Sequence, residues 1–67
     1  MPIAPVEKLL KKAGAERISA DASEELAAIL EDIGGEISRR AAALSAHAKR
    51  RTVKDEDVKM AVKELWG

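Results

Sequence analysis

Residues 21–48 read DASEELAAILEDIGGEISRRAAALSAHA, and the fold follows from this stretch. Its apolar residues fall at Ala22, Leu26, Ile29, Leu30, Ile33, Ile37, Ala41, Leu44 and Ala48. Steps of three and four draw one continuous stripe on a helix, and no proline interrupts it. Just ahead stands Ser19, a good N-cap residue, and Asp21, Glu24 and Glu25 place negative charge near the helix's positive end. The spacing predicts a helix over Asp21–Ala48, roughly 40 Å long at 1.5 Å per residue. The rest of a 67-residue chain is too short to cover it. Such a helix needs a partner, and the natural one is a second copy.

Working outward, the composition points the same way. The chain is expected to form one domain, 1–67, near the lower size limit for a self-sufficient core. It has no cysteine, so neither a disulfide nor a thiolate metal site can staple it. Trp66 is the one aromatic residue, which leaves Ile, Leu, Val and Ala to build the core. Oligomerisation is the remaining stabiliser, because folding linked to assembly gains by mass action. No apolar run approaches the roughly 20 residues of a membrane span, and no signal-peptide pattern opens the chain. The expectation is a cytoplasmic protein with no membrane partner and no tail of consequence at either end.

The formal net charge is zero, from 12 basic and 12 acidic residues. That sum counts against nucleic acid, since a duplex binder usually carries a basic excess. The distribution says more. Between residues 21 and 36 lie Asp21, Glu24, Glu25, Glu31, Asp32 and Glu36, with no base. Between 37 and 54 lie Arg39, Arg40, Lys49, Arg50, Arg51 and Lys54, with no acid. Part of this is dipole complementation of a long helix. If two copies cross antiparallel, each acidic half also lies near the other's basic half. Exposed pairs contribute little singly, so the pattern bears on orientation rather than on stability.

The flanks read as two short helices. Pro2-Ile3-Ala4-Pro5 is not expected in a helix interior, because proline disfavours helical geometry in the residue before it, though Pro5 suits a first turn. Val6, Leu9, Leu10 and Ala13 mark one face of a short helix that ends at Gly14. Ala15–Ile18 is a connector. After the long helix, Thr52-Val53 favours an extended segment. Asp55, Glu56 and Asp57 then open a third helix with the stripe Val58, Ala61, Val62 and Leu65. Gly34-Gly35 interrupts the middle of the long helix at about 1 kcal/mol per glycine against alanine. Gly34 lies on the apolar side, where a two-fold crossing needs close backbones; a tolerated weak spot is the alternative.

No catalytic constellation is present. His47 has neither a cysteine nor a second histidine to form a metal site, the serines lack a nucleophile-elbow context, and the glycines form no phosphate-cradling loop. No enzyme activity, cofactor, metal or small-molecule substrate is expected. The basic residues are better placed for binding. Lys8, Lys11, Lys12 and Arg17 cluster in and after the first helix, and Lys49, Arg50 and Arg51 in the second connector. Head-to-tail pairing brings the first connector of one copy to the second connector of the other. Each end of the pair then holds a compact basic site to which Thr52 adds a hydroxyl and connector N–H groups add donors. The first-turn Pro5 sets a helix N-terminus on the same surface, a further anion site.

Pro2-Ile3-Ala4-Pro5, Ala13-Gly14-Ala15-Glu16-Arg17-Ile18-Ser19, His47-Ala48, Arg50-Arg51-Thr52-Val53-Lys54, and Glu56-Asp57-Val58 with Ala61-Val62 resemble the archaeal histones over essentially the whole chain. The resemblance implies an all-α histone fold of short, long and short helices, paired as a head-to-tail handshake dimer. It gives Arg17 a place in the minor groove, Arg51 and Thr52 contacts to phosphate, and Lys8, Lys11, Lys12 and Lys54 positions along the DNA path. Arg50 and Asp57 are implied as an internal salt bridge, and Leu44, His47, Asp57 and Met60 as the surface joining dimers into tetramers and longer arrays. Leu26, Ile29, Leu30, Ile33, Gly34, Ile37, Leu44, Val58 and Val62 form the expected dimer core.

Four positions depart from the family pattern. Lys49 stands where a glycine commonly closes the long helix, and left-handed geometry costs a lysine more, so a different shape for that terminus is the expectation. Ala46 replaces a frequent basic residue, Gly35 a larger side chain, and Met60 a typical leucine. These bear on DNA affinity and stacking, not on the dimer core. The function implied is sequence-nonspecific binding and compaction of double-stranded DNA on the chromosome by homodimers that wrap it. The rivals are a DNA-bridging tetramer and a histone-fold interaction subunit without DNA function, and a heterodimer partner could supply the missing basic excess.

Overall fold

The computed structural model describes residues 2–67 as three helices, α1 (Ile3–Lys12), α2 (Ala20–His47) and α3 (Asp55–Trp66), with no strand among the described residues. Two compact units divide the chain. One ends at Asp32, the other runs from Ile33 to Gly67, and α2 belongs to both.

In the first unit, α1 begins two residues before Pro5 rather than at it. The first turn of a helix has no intrahelical partner for its N–H groups, so a proline at its third position forfeits no hydrogen bond. Ile3 and Ala4 thus lie in the first turn and not in the helix interior, and Pro5 takes the first-turn place that suits it. The other end is a Schellman motif: the Gly14 N–H donates to the Lys11 carbonyl at 3.0 Å and the Ala15 N–H to the Leu10 carbonyl at 3.1 Å. Gly14 takes the required left-handed turn with φ +110°, and Lys11 and Lys12 in the last turn complement the helix dipole. Ser19 then caps α2, its Oγ accepting the Ala22 N–H at 3.1 Å.

Val6 on α1 and Ser23 on α2 are fully buried, with Ala27 one turn beyond nearly so. Ser23 Oγ has no hydrogen-bond partner there. A buried, unsatisfied hydroxyl carries its full desolvation cost, whereas alanine would fill the site without one and has the better helix propensity. Ser23→Ala is therefore expected to stabilise the protein by about 1 kcal/mol. Thermal melting checks this, and a lowered midpoint would contradict it.

In the second unit, α2 also ends in a Schellman motif. The Lys49 N–H donates to the Ala46 carbonyl at 2.9 Å and the Arg50 N–H to the Ser45 carbonyl at 3.0 Å. Lys49 has φ +60°. The terminus thus keeps the same kind of cap as α1, and the lysine bears the left-handed geometry instead of reshaping it. Ser45, almost fully buried, donates from Oγ toward the carbonyls of Arg50 (3.1 Å) and Thr52 (2.9 Å), pinning the connector to the helix it leaves. At the start of α3 the Lys54 N–H donates to Asp57 Oδ2 at 2.8 Å, the return half of a capping box. A two-pronged ion pair, Arg40 to Glu64 at 2.7 and 2.8 Å, ties α2 to α3 further along. These hydrogen bonds hold the Glu64 carboxyl below its usual range.

The apolar side chains buried within one chain are Val6, Ala27, Ala41 and Ala61, which are small. Ile29, Ile33, Val58 and Val62 are all 40 % exposed or more, and Leu26, Leu30, Ile37 and Leu44 are half-buried. Every large aliphatic residue of the α2 stripe is therefore left incompletely covered.

Candidate nucleic-acid interface

The candidate DNA-binding residues fall into two groups, one in each unit. Lys8, Lys11 and Lys12 lie on α1, and Arg17 follows in the connector; all four are exposed. Helical spacing sets Lys8 and Lys12 one turn apart, on the side away from the buried Val6. The unit's core and its cationic face are thus separated by the turn of one helix. The Schellman cap at Gly14 then redirects the chain toward Arg17.

The second group is Arg51, Thr52 and Lys54, also exposed. Their backbone is fixed from two sides. Thr52's carbonyl accepts both Ser45 Oγ and Arg50 Nη1, the latter at 3.3 Å, and Lys54's N–H is held by Asp57. Among the described residues, no acid pairs with Lys8, Lys11, Lys12, Arg17, Arg51 or Lys54. The ion pairs lie elsewhere, at Arg40–Glu64, Arg50–Asp57 and Lys59–Asp55. Zero net charge therefore coexists with two exposed groups of cations that form no salt bridge among the described residues.

Arg50 differs from its neighbours. Its guanidinium meets both oxygens of Asp57, at 2.7 and 2.8 Å, and Asp57 is 4 % exposed. Those hydrogen bonds, with the Lys54 N–H second, draw the Asp57 carboxyl down to about 2. A charge so engaged is first of all a strut of the connector.

Leu44 and His47, with Arg40 and Ala43, line a shallow groove of about 270 Å³ on the last turns of α2. Met60 on α3 is about half-exposed. Asp57 Oδ1 accepts one hydrogen bond and Oδ2 two, so Oδ1 keeps acceptor capacity. Three features of this unit are not legible in the sequence pattern: the Ser45 hub, the Arg40–Glu64 pair and the burial of Asp57. Ser45 leaves a faint signal as a polar residue one turn before a helix end. Partners 24 residues apart leave none.

The model of the family described as histone-like transcription factor (CBF/NF-Y) and archaeal histone matches residues 1–62. The chain belongs to this family. Similar relatives are the archaeal histone HAN1 of Thermococcus zilligii and probable archaeal histone 3 of Methanocaldococcus jannaschii. Each is 51% identical over 63 residues, covering 94% of this chain and 94% of the relative. The three helices are those of the histone fold, and membership places the chain among histone-fold proteins that pair and bind DNA, not among enzymes. Among the described residues, no helix is long and apolar enough to cross a membrane.

Proposed function

We propose that this archaeal histone, as a homodimer, binds double-stranded DNA without base specificity and compacts it by wrapping on the chromosome. The observation that carries this reading is the pair of exposed cation groups, each at a connector of fixed geometry. In a head-to-tail pair, Arg17 of one chain approaches Arg51 and Thr52 of the other. Lys8, Lys11, Lys12 and Lys54 extend the charge on either side. Affinity then comes from release of condensed counterions, and from arginine in a narrow minor groove; neither reads base edges in the major groove. Wrapping needs successive dimers to join, a role that falls to Leu44, His47, Met60 and the free lone pair of Asp57. The dimer core is Leu26, Ile29, Leu30, Ile33, Ile37, Leu44, Val58 and Val62. Gly34 sits where the backbones cross: a Cβ there meets nothing within 4 Å of its own chain.

Nuclease digestion of reconstituted complexes tests the reading. A ladder of regular protections is expected. Short, unextended protection would mean bridging by tetramers, and none would mean an interaction subunit, or one that needs a basic histone-fold partner. Arg17→Ala and Arg51→Ala are each expected to weaken binding to all duplexes about equally, by about three- to tenfold at moderate salt. Each also lowers the salt slope by about one for every phosphate no longer neutralised. Losses confined to particular sequences would contradict phosphate and groove recognition.

A further inference from the structure

The two connectors begin with the same kind of cap but carry different residues at its left-handed position. After α1 the left-handed position is Gly14, which has no Cβ to clash. After α2 it is Lys49, at φ +60°, the one non-glycine residue with positive φ among the described residues. The hydrogen bonds from Lys49 N to Ala46 and from Arg50 N to Ser45 leave the backbone no other conformation, so the strain is built in. Nothing among the described residues compensates it. The Lys49 side chain is exposed and has no acid partner among the described residues. What the position gains over glycine is a cation.

The neighbours sharpen the point. Residues 49–51 are three consecutive bases, and the middle one, Arg50, is bound to Asp57. Lys49 and Arg51 stand on either side of that strut with their charges free, on a connector pinned by Ser45. We infer that Lys49 is a phosphate-binding residue, engaging the duplex backbone beside Arg51 and Thr52. This rests on the proposed DNA binding. A lysine suits the task, because a flexible stem carries a compact point charge that meets a phosphate oxygen without demanding bidentate geometry.

Three variants test it, with duplex affinity measured against salt and thermal melting on the same samples. Lys49→Gly is expected to raise the melting midpoint, because the strain is relieved, while weakening DNA binding. The two readouts move in opposite directions. Lys49→Gln is expected to weaken binding without raising the midpoint, and Lys49→Arg to bind as the parent does. For each lysine on the duplex the salt slope falls by about 0.9. With one Lys49 on each chain of the dimer, the parent's advantage therefore shrinks about tenfold as salt rises from about 50 to about 200 mM. If the parent binds with a steep salt slope and Lys49→Gln matches it in affinity and slope, Lys49 is a solvated charge and the inference is overturned. If Lys49→Gly lowers the midpoint, the strain argument is overturned. A parent that does not bind duplex at all overturns the DNA-binding reading itself.

Discussion

Ile33→Asp is expected to abolish cooperative folding at micromolar concentration, leaving a chain with no thermal transition and the sedimentation of an expanded monomer. The reason lies in how little one chain buries by itself. Its covered apolar residues are a valine and three alanines, while Ile33 is 40 % exposed on the stripe that the partner must seal. If the partner seals the stripe as proposed, that site is dry in the pair. An isoleucine removed from it forfeits about 1.5–3 kcal/mol of burial, and an unpaired carboxylate put in its place adds several more. Domains of ordinary stability have about 5–15 kcal/mol in total, and a chain this short with no disulfide belongs at the lower end. The parent, by contrast, should melt higher as its concentration rises, the signature of folding coupled to association. A folded, cooperative monomer of the variant would show that the stripe has no partner.

Asp57→Ala is expected to lower the melting midpoint by more than about 10 °C. One carboxylate there accepts both prongs of Arg50 and the Lys54 N–H, so its removal strands a guanidinium and uncaps α3 together. The same group sets an acid limit. The carboxyl sits near 2 in the folded chain against an ordinary 3.8, so the unfolded chain takes up its proton first. Its contribution is complete above about pH 4 and disappears as pH falls toward 2. Asp57→Asn, which cannot ionise, should melt lower than the parent at neutral pH, and the gap should narrow through that window. A gap that stays constant from pH 6 to pH 2 would show that the ion pair contributes nothing to stability.

The main elements are legible in the chain because their signals are local. The stripe and Ser19 locate α2 to within one residue at each end, and Gly14 marks the stop of α1. Pro5 is legible for a local reason too: it suits a first turn, where no bond is at stake, and it stands in the first turn of α1. At Lys49 the residue's own preference is legible, but not the hydrogen bonds to Ser45 and Ala46 that override it. The Arg40–Glu64 pair and the buried Ser23 depend on which helix faces meet, and a single helix's pattern does not encode that. The cations of the candidate interface can be counted from the chain. That Arg50 is engaged while Arg51 is free is a matter of geometry.

The small private core of each chain also governs how long a partnership lasts. If melting depends on concentration as expected above, paired chains do not part and remain folded, and separation and unfolding are then a single event with a single barrier. Exchange of partners in a mixed population therefore runs no faster than global unfolding and, like it, accelerates steeply with temperature. On that condition the make-up of a mixed population would record which chains folded together, for as long as global unfolding is slow.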